Sequence, residues 1–268
     1  MPVIAITNKL YTGSEKIIQA LVETFEGSLV TDMDIIKKTH QAYPVKLATL
    51  KRVAESKQIA FNNFTHEQEK CLAALKKTLS DLVGEGNCVL TGLLAHLIPR
   101  NITHVMRILI NEDRAKRLHQ GMTADNITEK QAGKRMDLFN KKALSWTRSL
   151  FGKNPWDETL YDRTIHLAQI DPETAIQLVS EYFVSLAGID GKPIQQAVID
   201  FKLSADIELA LSAIGQGLLV NAGNGHVMVT IDKKVKRLTT FQQKIIQTVE
   251  ACPGVILVET KIGKNYYK

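Results

Sequence analysis

The first residues whose types and spacing could do chemistry are Thr12, Gly13, Ser14, Glu15 and Lys16. Residues 3–6 before them are all apolar, which predicts a short buried strand. Apolar residues recur at helical spacing from Ile17 onward, which predicts an amphipathic helix. A loop between a strand and a helix N-terminus can hold a phosphate, because the free N–H groups and the helix dipole both favour an anion. We therefore predict that this loop binds the phosphates of a nucleotide.

The same loop lacks parts of a standard phosphate-binding signature. Its one glycine is Gly13, and no Gly-Lys-Ser/Thr sequence follows. Ser14 could therefore act only as a helix cap. An ordinary turn between strand and helix, without a ligand, remains the alternative interpretation.

A segment rich in Lys and Arg lies between Arg114 and Lys153. Phosphoryl transfer builds up negative charge, which arginines and Mg²⁺ neutralise. Arg114 and Arg117 are three residues apart and share a helix face, and Arg135 lies on the next predicted helix. We predict phosphate contacts for these arginines, with a solvated basic helix as the alternative.

Two further candidates follow predicted strands. Asp32 comes directly after residues 28–31, and Gly92 directly after residues 87–91. The carboxyl ends of parallel strands form the ligand-binding edge of such sheets. We predict that Asp32 and Gly92 face a phosphate acceptor. Asp32 could instead cap the helix that follows it.

Strands and helices alternate from the start of the chain to residue 187, which predicts an α/β fold with a parallel five-stranded sheet and helices on both faces. The predicted strands cover residues 3–6, 28–31, 87–91, 104–110 and 161–166. Glycines and a proline at 188–193 predict a boundary. Residues 188–268 then predict a small α+β domain of order αββαβ, with a hairpin at 223–225.

Residue patterns also predict several helix ends. Asn111 is expected to cap a helix that Gly121 closes. Thr65 and Gln68 have the spacing of a capping box. Thr128 is expected to cap a long basic helix that runs to about residue 151.

Composition places the chain among globular proteins: it has 268 residues, 44% of them hydrophobic, and a net charge of +6. The positive charge suits a partner that carries phosphates. The three cysteines are scattered, which indicates reduced thiols, and no membrane-spanning or signal segment is recognised. These features predict a cytoplasmic protein, and the histidine spacing predicts no metal site.

Residues 1–187 resemble the cytidylate kinase-like family, which are P-loop nucleoside monophosphate kinase relatives. The resemblance rests on the opening strand and loop with Gly13, on residues 87–92, on the arginines after residues 104–110, and on residues 151–162. It implies a P-loop NTPase-like fold that uses ATP and Mg²⁺. Lys141 stands where the family has an arginine, and Leu93 replaces another family arginine.

The segment from 188 to 268 resembles a BON domain. The resemblance rests on residues 225–230 and 249–258. Such domains are associated with small ligands, lipids or protein partners, so it implies one of these partners here.

Two functional hypotheses follow. The first is a nucleotide-binding protein that resembles cytidylate kinase and transfers a phosphoryl group from ATP to a nucleoside monophosphate or another small acceptor. The second is an inactive kinase-like regulatory or interaction protein that senses a ligand through its BON-like tail. A homo-oligomer is compatible with both. Nucleic acid is not expected as a partner, because no nucleic-acid motif occurs in the chain.

Overall fold

The structure, a computed structural model, describes residues 3–56, 62–187 and 191–267. In these residues the strands are β1 (Val3–Asn8), β2 (Ser28–Thr31), β3 (Cys88–Thr91), β4 (Val105–Asn111), β5 (Arg163–His166), β6 (Leu218–Gly223), β7 (His226–Ile231) and β8 (Leu257–Ile262). The α-helices are α1 (Glu15–Thr24), α2 (Asp32–Ala42), α3 (Leu47–Ala54), α4 (Asn62–Thr65), α5 (Glu67–Glu85), α6 (Arg114–Asp125), α7 (Glu129–Phe151), α8 (Pro172–Ala187), α9 (Gly191–Leu211) and α10 (Leu238–Glu250). Two 3₁₀ helices cover Leu94–Leu97 and Glu158–Leu160.

The first five strands form one parallel sheet in the order β2-β3-β1-β4-β5. The predicted α/β fold is therefore confirmed. The two central strands, β1 and β4, are buried at every position except their last residue. Continuous burial means that both faces of the sheet are covered, as parallel sheets require.

The core on one face of this sheet is aliphatic. Ile4, Ile6 and Ile108 pack there with Ile17 of α1 and Val179 of α8. A fully buried aliphatic side chain contributes about 1.5–3 kcal/mol to stability. This packing fixes the direction in which α1 leaves the loop after β1, and so fixes the loop.

The chain groups into two compact units that do not follow its linear order. Of the described residues, the first unit contains 3–35, 54–56 and 85–187, and with them the whole parallel sheet. The second contains the described residues 36–53, 62–84 and 191–267. The helices between β2 and β3 therefore group with the C-terminal segment. The sequence-based division at 187/188 remains a prediction, and residues 188–190 lie outside the described part.

Ion pairs between α5 and α9 hold the second unit together. Lys76 donates to both carboxylate oxygens of Glu208 at 2.7 Å. Lys77 pairs with Asp206 at 2.7 Å, and Lys202 of α9 pairs with Asp81 at 3.2 Å. The Lys76 and Glu208 side chains are 28% and 18% exposed, so water screens this pair less than a surface pair.

The C-terminal part forms a three-stranded sheet of order β6-β7-β8, packed against α9 and α10. The predicted hairpin is present: Gly223 pairs with His226, and Asn224 and Gly225 between them have φ values of 52° and 77°. Two positive φ angles are typical of a type I′ turn, which Asn-Gly adopts at low cost.

Three predicted helix ends are wrong. The N-cap residue of α6 is Asp113 rather than Asn111. Gly121 lies inside α6, which ends at Asp125 and is followed by Asn126 in the left-handed conformation. Gly121 is a contact position rather than a stop signal, as described below. The predicted capping box at Thr65 is also wrong, because α5 begins at Glu67, after His66 with a φ of 52°.

The cap of the basic helix is as predicted. Thr128 and Gln131 form a reciprocal capping box at the start of α7, and Gly152 ends this helix at a φ of 68°. In the part of the chain that the structure describes, no helix combines the length and the apolar character needed to span a bilayer.

Glu208→Gln should lower the free energy of unfolding of the second unit by about 1–3 kcal/mol, because it leaves the half-buried Lys76 ammonium without its counter-charge. Urea unfolding of the full chain measures this loss. Glu250→Gln, at an exposed helix end, is the control. Equal midpoints for the two variants would contradict a stabilising role for the pair.

Candidate functional site

The candidate site lies at the carboxyl edge of the parallel sheet, within the first unit. Ile6 of β1 pairs with Thr91 of β3, and Thr31 of β2 pairs with the same residue. The strand ends therefore lie side by side. The loop after β1 and the turn after β3 both begin at this edge, which is where ligands bind in open parallel sheets.

Tyr11 gives the loop an unusual backbone. Its φ is 62°, in the left-handed region that a bulky residue rarely adopts. The Tyr11 ring packs on Gly121 of α6 so closely that a Cβ there would lie 2.5 Å from Cδ2 of the ring. The Tyr11 hydroxyl donates a short hydrogen bond to Asp125 at the end of α6. These contacts hold the strained residue in place and explain why a glycine lies inside α6.

The hydroxyls of the loop bond to one another. Asn8 Nδ2 donates to Thr12 Oγ1 at 3.3 Å, and Thr12 Oγ1 donates to Ser14 Oγ at 3.0 Å. Thr12 and Ser14 are 1% and 0% exposed. Ser14 is the N-cap residue of α1, but its side chain makes no capping hydrogen bond, so the alternative role of Ser14 as a side-chain cap is not observed. The first backbone N–H groups of α1 therefore donate no hydrogen bond to the Ser14 side chain.

Gly13 is a second point of close approach between the loop and α6. Its φ is 67°, and a Cβ there would lie 2.7 Å from Nε2 of Gln120. Oε1 of Gln120 is buried and has no hydrogen-bond partner among the described residues. Buried polar atoms without partners are rare and often mark a place for a bound water or ligand. Sequence reasoning missed Gln120, which carries no motif.

Two cations flank the loop. Arg117 is 5% exposed, and its guanidinium donates to the carbonyls of Glu112 at 3.0 Å and Leu10 at 3.4 Å. Burial, and then the nearby Arg114, lowers the pKa of Arg117. Burial and the charge of Arg117 likewise lower the pKa of Lys9. Arg117 thus ties the loop to α6, whereas Glu15 and Lys16 are exposed at the start of α1.

The other predicted cations lie on α6 and α7. Arg114 pairs with Asp137 at 3.2 Å. Arg135 forms a short bond to Asp125, the residue that also accepts from Tyr11. The hydrogen bond from the Tyr11 hydroxyl, aided by Arg135, holds the pKa of Asp125 below its usual range. The fourth predicted residue, Lys141, is exposed.

Asp32 and Gly92 do meet, and their contact is structural. The Asp32 carboxylate accepts the backbone N–H groups of Leu93 at 2.9 Å and Leu94 at 3.0 Å, which caps the 3₁₀ helix after β3. Gly92 has a φ of 123°, and a Cβ there would lie 2.3 Å from the carboxylate. Only glycine fits. Burial raises the pKa of Asp32 to about 6, although these hydrogen bonds oppose the shift.

A buried network beside this turn was not predicted. The Tyr161 hydroxyl donates to the carbonyl of Pro155 at 2.7 Å, so its oxygen accepts a hydrogen bond from Nε2 of His96 at 3.1 Å. Thr7 Oγ1, at the end of β1, lies 3.5 Å from the same nitrogen. This arrangement assigns the proton to Nε2 and leaves Nδ1 as an acceptor.

The environment of His96 keeps the ring neutral. Burial, with a smaller effect from Arg107, lowers its pKa to about 4. Nδ1 is buried and has no partner among the residues described. The sequence signal was a histidine four residues after Gly92, but no spacing rule singles out such a residue. No group of three or more His, Cys, Asp or Glu side chains suited to a metal ion occurs in the described residues.

Comparison with known proteins shows the family of the chain and agrees with its fold. Residues 3–169 match the family described as the Cytidylate kinase-like family. An uncharacterized protein from Eubacterium ventriosum is similar in structure, with a TM-score of 0.51 and 16% identity, over 69% of this chain and 99% of that one. No curated protein matches the chain.

Two shikimate kinase structures are more distant. The enzyme from Bacteroides thetaiotaomicron gives a TM-score of 0.40 and 10% identity over 68% of this chain and 98% of its own. The enzyme from Acinetobacter baumannii gives 0.42 and 11% over 71% of this chain and 96% of its own.

Asp32 should make stability depend on pH. Its folded-state pKa of about 6 lies above the ordinary value of 3.8, so the fold favours the protonated acid. This contribution is fully present below pH 4 and is lost as the pH rises through 6. Relative to Asp32→Asn, the wild type should lose up to about 3 kcal/mol of unfolding free energy between pH 4 and pH 7.

Urea unfolding at both pH values measures this difference. Asp113→Asn is the control, because Asp113 is exposed and makes no side-chain capping bond. A difference between wild type and Asp32→Asn that is independent of pH, or that grows in favour of the wild type at pH 7, would refute the assignment.

Proposed function

Since the chain belongs to the cytidylate kinase-like family, we propose that it binds a nucleoside triphosphate and transfers a phosphoryl group to a small acceptor such as a nucleoside monophosphate. The observation that carries this proposal is the loop after the central strand β1. There Gly13 turns at a positive φ beside Oε1 of Gln120, which has no hydrogen-bond partner among the described residues. A water bound together with the phosphate would donate the missing hydrogen bond to this oxygen.

The donor in this proposal is ATP with Mg²⁺. The backbone of residues 12–16 and the uncapped start of α1 would hold its phosphates, with Thr12, Gly13 and Ser14 as the turn. Glu15 is a carboxylate and repels phosphate, so its part is to face a hydrated Mg²⁺. Lys16 is exposed at the first turn of α1 and supplies positive charge there. Mg²⁺ supplies charge neutralisation to such transfers when bound.

The residues proposed to stabilise the transferred charge are Arg114, Arg117, Arg135 and Lys141. The side chains of Arg114 and Arg135 are each 53% exposed, and each is paired with a carboxylate. To bind a phosphate, Arg114 would leave Asp137 and Arg135 would leave Asp125. Breaking a surface ion pair of this kind costs at most about 1 kcal/mol. Arg117 acts through the loop carbonyl it holds, and is therefore a positioning residue.

Asp32 and Gly92 form the proposed acceptor side. Asp32 orients the turn of Gly92 and the N-terminus of the 3₁₀ helix, and acts on the acceptor only through them. Nδ1 of His96, at the same edge of the sheet, can accept a hydrogen bond. Positioning and electrostatics supply most of the catalysis in phosphoryl transfer, so no general base is required.

The second candidate is an inactive kinase-like protein with a regulatory or interaction role. Tyr11 favours it, because a large side chain occupies a loop position with a positive φ. The binding of Arg117 to backbone carbonyls also favours it. In this proposal the C-terminal α+β domain, from residue 188 and similar to a BON domain, binds a small ligand, a lipid or a protein partner. A cytoplasmic location and a homo-oligomer are part of both proposals.

A thermal-shift titration with ATP-Mg²⁺, CTP and CMP tests nucleotide binding. A ligand at 100 times its Kd should stabilise the wild type by about 2.7 kcal/mol. Gly13→Ala should abolish this shift, because its Cβ meets Gln120. Gly223→Ala is the control, since a Cβ there meets nothing within 4 Å. If no nucleotide shifts the wild type, nucleotide binding is wrong.

A coupled assay for ADP release separates the two candidates. Arg135→Gln should lower kcat by about 100-fold while the ATP affinity changes little, since charge stabilisation is needed in the transition state. Arg148→Gln, exposed on the same helix, should leave kcat unchanged. A thermal shift without any turnover in the wild type would select the regulatory candidate.

A further inference from the structure

A cavity of about 230 Å³ lies in the second unit, where α3 and α5 begin. Its described lining comes from the residues before and within the first turns of these two helices. A water takes about 30 Å³ of liquid volume, so a space of this size admits a small organic ligand. None of the lining residues belongs to the loop after β1 or to the turn of Gly92, so the cavity is separate from the site described above.

The charges on its wall are of both signs. Lys46 and Lys70 supply ammonium groups, and Glu67 supplies a carboxylate. None of these three side chains takes part in a salt bridge in the described part of the chain, which contrasts with the paired lysines elsewhere on α5. Among the described lining residues, two cations and one anion give a net positive charge.

The floor of the cavity is apolar. Val45 is 7% exposed and Cys71 is 2% exposed, and Pro44 lies beside them. The ring of His40 contacts the carbonyl of Val45 at 2.8 Å through Nδ1, which fixes this part of the wall. Burial raises the pKa of the Cys71 thiol to about 11; Glu67 adds to the shift and Lys70 opposes it. The thiol is therefore neutral, and both charged side chains lie near it.

We propose that this cavity binds a small carboxylic acid that carries a hydroxyl or ammonium group next to its carboxylate. The carboxylate lies between Lys46 and Lys70, where charge-assisted hydrogen bonds are strong. The neighbouring donor bonds to Glu67, and the short carbon chain rests on Val45, Pro44 and Cys71. A 2-hydroxy acid and a 2-amino acid both present a carboxylate beside a hydrogen-bond donor. The proposed site is additional to the proposed kinase-like function.

The test is a ¹H–¹⁵N NMR titration of the full chain with lactate, alanine, acetate and inorganic phosphate. Lactate or alanine should give saturable shifts of the amides of residues 45–49 and 67–71. Acetate lacks the second group and should bind about tenfold more weakly. Stronger binding by lactate or by alanine identifies whether the hydroxyl or the ammonium is the preferred donor.

Lys46→Met and Lys70→Met should each weaken binding about tenfold, since methionine keeps the length of the stem but removes the charge. Lys51→Met, on α3 but outside the cavity, is the control. Glu67→Gln should make lactate and alanine bind no more tightly than acetate. Unchanged unfolding midpoints show that each variant is folded.

Three results would overturn the proposal: no saturable shift with lactate or alanine, equal losses in Lys51→Met and Lys70→Met, or binding of phosphate as tight as that of both acids. Shifts of residues 12–16 with ATP report the proposed nucleotide site in the same spectra. Failure at one site is therefore distinguishable from failure at the other.

Discussion

The close packing of α6 against the loop after β1 is the constraint on which the candidate site depends. Arg117, Gly121 and Asp125 lie on one face of α6, and each contacts the loop. Because Gly121 has no side chain, the Tyr11 ring can approach the helix backbone. That contact stabilises a positive φ at Tyr11, and the next residues then place Gly13 against Gln120. Loop and helix thus determine each other's shape.

A second constraint acts on the other side of the same edge. The Asp32 carboxylate can cap the 3₁₀ helix only because Gly92 leaves room for it. The helix in turn places His96 against Thr7 and Tyr161. A partly buried carboxylate and a partly buried neutral imidazole therefore share this region, and both depend on one glycine. Polar groups held this tightly favour a single conformation over several.

The sequence predicts the first sheet well, because apolar runs bounded by turns mark each parallel strand. It also predicts the hairpin at Asn224, where local backbone preference decides the structure. Prediction fails where tertiary contact decides. Gly121 has the pattern of a helix end, but it is a packing position for Tyr11. Gln120 and His96 carry no motif, and only their burial and missing partners mark them.

The ion pair of Lys76 with Glu208 joins residues that are 132 positions apart in the chain. A ribosome that adds about 5–20 residues per second makes Glu208 roughly 7–26 s after Lys76. During this interval the amphipathic helix α5 exists without the helix that neutralises its lysines. The middle of the chain therefore cannot complete its native contacts during synthesis until the last quarter has emerged. A ribosome pause or a truncation before Glu208 would leave Lys76 without this partner, even though the sequence of α5 is intact.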